Sequence, residues 1–583
     1  MKKNNKTFSR CFALAKPHMK TIILVSILSI IIDIISITKP YLIKVLIDDY
    51  LSLGIFEKGL VSTSVIGAIY ILLVVIGNVL DLFSITKTNI MGENILFDLR
   101  NRIFDYTQKA NVSFHDRVPA GTLYVRMIND VDDLSNLFKE VIATFFKDIL
   151  SIVTTLIIML IFSIKLSMYA FIVIPFVAIT AVGLTKIINY IYEKSKVVRT
   201  QINTFFAESI YGAKLIKIFN IQKEKEDDLR KMNKKFFYVK FPSSIFEALF
   251  PSSMMLFENI AKSIIIYVAI KHIFGLTVGI GEIYIFITYI KNLFDPINRI
   301  IENTETIQEA TVSINKIFDI LDHDEYLEDL ESGKELKKLK GKLEFKNVWF
   351  SYDGKDNWIL KDISFTINPG ETIALVGKTG SGKTTITNLV NRFYDVTKGE
   401  ILLDGKNINE YSKKSLRNHV GTVLQDPFIF ARSIKDNIAL AKDISDKELQ
   451  LAISRSEADS FIKDLPHGID EVAKERGESF SAGEKQLLAF ARIFAHNPDI
   501  FILDEATANI DTNTENIIQK SIDILSKEKT AIFIAHRLST IVNVDKILVL
   551  DQGKIIEEGT HKELLEKGGY YSKLYNSFYE SLG

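Results

Sequence analysis

Residues 372–385 read TIALVGKTGSGKTT, and the architecture of the second half of the chain follows from them. An apolar, β-rich run enters a glycine-rich loop that ends on a lysine and two threonines. The loop fits G-x-x-x-x-G-K-[ST] with Gly377, Gly382, Lys383 and Thr384. In that pattern glycines let successive backbone N–H groups wrap phosphates. The lysine adds charge at the β/γ-phosphates, and the hydroxyl of Thr384 is offered to Mg²⁺. A helix following the loop points its positive end at the anion. The whole segment Gly377, Lys378, Thr379, Gly380, Ser381, Gly382, Lys383, Thr384 and Thr385 is therefore expected to hold a nucleotide. A glycine-rich loop can match by chance, so a strand before and a helix after are required.

A second stretch, DIFILDEAT (Asp499 to Thr507), delivers two carboxylates at the end of a buried apolar strand. Ligands bind at that end of strands in open α/β sheets. Asp504 is expected to hold Mg²⁺, directly or through water, and Glu505 to polarise the attacking water as general base. A solvated acidic loop after a core strand looks the same in isolation. Around these stretches, KLEFKNVWF, TAIFIAH and KILVLDQG alternate with helical segments. That alternation predicts an α/β domain with a largely parallel sheet.

The first half has another texture. The chain has 583 residues, 47% of them hydrophobic, and a mean hydropathy of +0.16. Such length predicts more than one domain. A membrane crossing takes about 20 mostly apolar residues. Six runs qualify: 21–46, 60–84, 137–164, 167–190, 245–273 and 280–302. Lys plus Arg and Asp plus Glu both number 71, so no charge bias points to nucleic acid. Cys11 is the single cysteine, which excludes an intrachain disulfide framework. The first twenty residues are basic, and 85–136 and 191–244 are rich in Lys and Arg. Positive charge stays on the cytoplasmic side, so both termini and the two long connectors are expected there. The composition, rich in Lys, Ile and Asn, fits a bacterium with an AT-rich genome. The expected organisation is a cytoplasmic segment 1–20, a helical membrane domain 21–320, a charged linker 321–341 and an α/β domain 342–583.

These motifs, in this order, resemble an ATP-binding cassette (ABC) exporter half-transporter. The implied fold is a six-helix all-α transmembrane domain followed by an α/β P-loop ABC ATPase domain. The resemblance implies that Tyr352 of FSYDG stacks on adenine. It implies that Gln425 of TVLQDPFIF senses Mg²⁺ and contacts the membrane domain. His536 of FIAHRLST would contact the γ-phosphate, and Ala508 to Asp511 would cross to a partner's site. SFHDRVPAGTLYVRMINDVDDL (Ser113 to Leu134) and ESIYGAKLIKIF (Glu208 to Phe219) resemble the two coupling segments, and YIKNLFDPINRI the sixth membrane helix.

One motif departs from the family. The signature Leu-Ser-Gly-Gly-Gln is here Phe480, Ser481, Ala482, Gly483 and Glu484. In the family this loop caps ATP held by the partner chain. Ser481 and Gly483 keep phosphate contact open. Ala482 adds a methyl where close approach favours glycine, and Glu484 adds a carboxylate near a γ-phosphate. SAGE also reads as a capping box at a helix start. The resemblance implies a heterodimer in which this chain bears the catalytic glutamate; a homodimer is the alternative. It implies ATP-driven efflux of amphipathic drugs, lipids or peptides across the cell membrane. A homodimeric lipid flippase, or an ATP-gated channel with little turnover, is the competing function. Asp33, mid-run in the first helix, and Glu258 and Lys262 in the fifth are candidate polar groups within the membrane. Phe286, Tyr289 and Phe294 could line a cavity or simply pack.

Overall fold

The computed structural model describes residues 2–51, 56–271, 279–323, 326–440, 442–504, 512–534 and 541–580. They form two compact units, 1–108 with 120–324, and 109–119 with 325–583.

The first unit is helical. Helices Met19–Val45, Phe56–Lys109, Ala143–Phe162, Ile174–Tyr211, Gln222–Ile270 and Ile280–Glu302 overlap the six apolar runs, and the short helix Ile164–Phe171 carries the start of the fourth. Among the described residues, four helical stretches are long and apolar enough to cross a bilayer: Ser9–Asp48, Thr63–Lys109, Ile164–Tyr211 and Gln222–Ile270. Helix Phe56–Lys109 has 54 residues, about 80 Å at ~1.5 Å per residue, far beyond a hydrocarbon core of ~30 Å. Its outward side chains Ile71, Leu72, Val75, Val79 and Leu82 are exposed and apolar, which suits a lipid-facing surface. The interior is a cluster containing Met159, Leu166, Phe250, Met254, Ile265 and Ile290. Phe286, Tyr289 and Phe294 belong to it and are buried, so their role is packing. The Tyr289 hydroxyl donates to the carbonyl of Ile37 at 3.0 Å. Glu258 and Lys262 pair along one helix face, as their spacing predicts.

The second unit is α/β. Its strands are β1 Leu343–Phe350, β2 Leu360–Ile367, β3 Thr372–Val376, β4 Lys398–Leu403, β5 Lys406–Asn407, β6 Val420–Val423, β7 Ile500–Asp504, β8 Thr530–Ile534, β9 Lys546–Asp551 and β10 Lys554–Gly559. One sheet is antiparallel, in the order β2-β1-β4-β5; the other runs β10-β9-β3-β8-β7-β6. In the six-stranded sheet only β10 is antiparallel to its neighbour. Every residue of β3 is buried, the pattern of a strand covered on both faces. Alternate residues feed two cores. Ala374, Val376, Phe501, Leu503, Phe533 and Val549 face one; Ile373, Leu375, Ile500, Ile502, Ile532 and Leu548 face the other.

Residues 109–119 are attached to this unit. The N–H of Asn111 donates to the carbonyl of Tyr326 at 2.7 Å, and the N–H of Glu328 to that of Lys109 at 2.8 Å. The short helix Val112–Arg117 follows, capped by the Asn111 side chain. The Tyr394 hydroxyl donates to Asp116 on that helix. Glu328 is clamped from the other side, with Arg417 donating to both of its oxygens at 3.0 and 2.8 Å and Lys413 at 3.0 Å.

Candidate nucleotide site

The sheet register brings the predicted residues to one edge. Leu375 of β3 is level with Ile534 of β8, and Ile534 is level with Asp504 of β7. Asp504 therefore ends its strand two positions across the sheet from the start of the glycine loop, roughly 10 Å at a strand spacing of ~4.8 Å. Val423 of β6 pairs with Leu503, so Gln425 emerges at the same edge. Glu505, His536 and Ala508–Asp511 lie outside the described residues, just beyond the ends of β7 and β8.

The loop is built for close approach. Gly377 is tucked under β9: a Cβ there would stand 2.2 Å from the carbonyl oxygen of Leu550. Gly380 and Gly382 have φ of +82° and +105°, the left-handed region that glycine occupies without strain. Lys378, Thr379 and Gly380 are exposed at the tip, as is Thr384, while Ser381, Lys383 and Thr385 are buried. The Lys383 ammonium donates to the carbonyls of Gly377 at 2.6 Å and Lys378 at 3.1 Å. It is thus held inside the turn of the loop, where phosphate oxygens would meet it. The Ser381 hydroxyl is buried and has no partner. A buried polar atom left alone is costly, and a phosphate oxygen in the cradle would satisfy it. Helix Lys383–Val390 leaves the loop with its N-terminus toward the cradle.

Tyr352 stands beside this helix. Its hydroxyl is 3.2 Å from the hydroxyl of Thr385, and the Asn388 amide donates to it at 3.4 Å. Its ring, partly exposed, makes edge contacts with Phe350 at 4.8 Å and Tyr394 at 5.0 Å between centroids. Tyr394 and Asn388 were not singled out from the sequence. Asn388 lies one helical turn after Thr384, a legible signal; Tyr394 carried none.

The signature loop is also well defined. Ser481 caps helix Ala482–His496, its hydroxyl accepting the Glu484 N–H at 3.2 Å. Glu484 accepts the Ser481 N–H at 2.7 Å. The capping box is therefore formed, and Glu484 is tied into the first turn. Ser481 and Ala482 are exposed, and Gly483 is buried. The phosphate-loop helix packs Ile386, Leu389 and Val390 into one core. The signature helix packs Leu487, Leu488 and Phe490 into the other. The glycine-loop helix and the signature helix thus pack on opposite faces of one sheet.

The ABC transporter transmembrane region family matches residues 22–297, and the ABC transporter family matches residues 360–508. The chain belongs to the ABC transporter family. It is a membrane-embedded, ATP-hydrolysing transporter. This ABC transporter is 36% identical to YheH, a Bacillus subtilis ATP-binding/permease protein named for multidrug resistance, over 83% of this chain and 72% of that protein. It is 31% identical to the ATP-dependent lipid A-core flippase of Syntrophus aciditrophicus, over 97% of this chain and 94% of that one. The structure of a bacterial Atm1-family ABC exporter with ATP bound superposes with a TM-score of 0.77 at 26% identity, covering 97% of this chain and 98% of that one.

Proposed function

We propose that this chain is one half of a two-chain exporter that moves hydrophobic or amphipathic compounds across a bacterial cell membrane by alternating access. The observation that carries the two-chain reading is the placement of the two phosphate-contacting motifs. Lys383–Thr385 and Ser481–Gly483 lead into opposite faces of one sheet, so they serve different nucleotides and a partner chain supplies the other wall of each. The second coupling segment supports this. Its Tyr211, Ile218 and Phe219 are 91%, 73% and 66% exposed, an apolar surface suited to a covering partner.

ATP closes the two nucleotide-binding domains, the coupling segments pass the closure to the membrane helices, and hydrolysis resets them. Thr384, Gln425 and Asp504 are the residues that would hold Mg²⁺, which supplies charge neutralisation at the β/γ-phosphates. Glu505 acts as general base and His536 contacts the γ-phosphate. Both termini lie in the cytoplasm. The similarity to proteins named for drug resistance and for lipid flipping supports a hydrophobic or amphipathic cargo.

The partner is a second, different half-transporter. Glu484 holds a carboxylate in the first turn of the signature helix, and that charge opposes a phosphate held by the partner chain. The heterodimer is tested by purifying the chain alone. Little ATP turnover until a second half-transporter is added supports it. Vigorous turnover by the lone chain, abolished by Glu505→Gln, would establish a homodimer. The exporter reading is sunk if Lys383→Ala leaves cargo uptake into inverted vesicles unchanged.

A further inference from the structure

Inside the membrane unit, charged side chains from several helices converge. Lys147 reaches Asp81 at 2.9 Å. Arg299 donates twice to a single oxygen of Asp148, at 3.1 and 2.6 Å. Asp33, on helix Met19–Val45, has Lys147, Asp148 and Arg299 as its charged neighbours and Ser151 beside it. Both cations are therefore engaged by other carboxylates. Asp33 is 7% exposed and Asp148 is 1% exposed. The second oxygen of each, Oδ2, is shielded from solvent and has no hydrogen-bond partner.

Three carboxylates face two cations here, and two buried acceptors are left over. Buried carboxylate oxygens without donors are costly, and charged groups inside membrane bundles mark ligand or ion pathways. What the two Oδ2 atoms lack is a hydrogen-bond donor, and the three carboxylates exceed the two cations by one charge. A metal ion fits poorly: among the described residues no group of three or more His, Cys, Asp or Glu is placed to hold one. An ammonium group carries both charge and N–H donors in a compact form.

We propose that Asp33 and Asp148 form a recognition point for a protonated amine, whose N–H groups donate to the two unpartnered oxygens. This deepens the exporter reading, and rests on it, by naming the cargo class as amphipathic compounds bearing a protonated amine. It sets an order among ligands of one shape. A primary ammonium binds best, a trimethylammonium of equal charge binds less well because it has no N–H, and the neutral acetamide binds least.

The test is a fluorescence titration of the full chain in lipid nanodiscs, without nucleotide and corrected for empty nanodiscs. The probes are a dansyl-labelled decylamine, its trimethylammonium analogue and its acetamide. Hydrogen bonds to a charged group predict about ten-fold tighter binding of the amine than of the acetamide. Asp33→Asn is expected to collapse that preference to about two-fold or less. The wild-type probe series needs no variant, so it stands even where Asp33→Asn fails to fold. Equal binding of amine and acetamide by the wild type overturns the proposal. So does a preference that survives in Asp33→Asn. Displacement of the amine by Na⁺ or K⁺ alone, at constant ionic strength, overturns it in favour of an inorganic cation site. Because no nucleotide is present, failure here leaves the ATP-driven export reading to be judged on its own assay.

Discussion

The side-chain amide of Gln486 donates to the backbone carbonyl of Gln425 at 3.0 Å. The same nitrogen reaches the carbonyl of Leu424 at 3.4 Å. Gln486 is buried on the signature helix, so the helix capped by Ser481 holds the loop after β6 that carries Gln425. Gln486→Leu keeps the volume and removes the donor. Loss of one buried hydrogen bond costs about 1 kcal/mol. The expected result is a thermal midpoint lowered by a few degrees and slower ATP turnover. Wild-type values for both would show that the contact does not position Gln425.

The glycine loop makes a graded prediction. At Gly380 a Cβ meets nothing within 4 Å, whereas at Gly382 it would stand 2.6 Å from Leu360 Cδ2. Both positions have positive φ, so each alanine costs about 1–2 kcal/mol in backbone strain. Gly382→Ala adds the clash. Calorimetry should show Gly382→Ala less stable than Gly380→Ala, and both with weakened ATP binding.

Lys383→Ala removes the ammonium held against Gly377 and Lys378. Loss of a preorganised group at developing phosphate charge costs about a hundred-fold or more in rate. ATP should raise the thermal midpoint of the wild type and not that of the variant. An unchanged turnover number would remove Lys383 from the site.

Acid should loosen the clamp on Glu328. Burial by itself raises this carboxyl, but the hydrogen bonds and charges of Arg417 and Lys413 outweigh burial and hold its pKa below the usual glutamate value. A depressed folded-state pKa contributes stability that is fully present above the unfolded value, about 4.3. That stability is lost as pH falls through the lower folded value. Unfolding midpoints of the wild type and Glu328→Gln should therefore differ at neutral pH and converge below about pH 4. A constant difference across that window would assign the effect to packing.

Tyr394 touches both the Tyr352 ring and, through its hydroxyl, Asp116. Tyr394→Phe keeps the ring and removes the hydrogen bond, as does Asp116→Ala from the other side. A double-mutant cycle should give non-additive effects on ATP turnover, since each variant alone breaks the same contact. Strict additivity would show the contact to be energetically silent.

The glycine loop, Asp504 at the end of β7 and the long apolar helices of the first half were legible because each is a local pattern. A strand feeding Gly377–Thr385 is written in consecutive residues, and so is hydropathy long enough for a bilayer. The capping box at Ser481 and Glu484 was equally local, and the Glu258–Lys262 pair followed from one helical turn. What no local pattern carried was which distant residues meet. Leu375, Ile534 and Asp504 come level only through strand order, which places Asp504 beside the phosphate loop. The packing of Phe286, Tyr289 and Phe294 was undecided in the sequence, because an aromatic on a membrane helix reads the same whether it lines a cavity or fills a core. Tyr394 and the convergence of Asp33 with Asp148 arise from elements far apart in the chain, whose meeting is set by packing and not by periodicity.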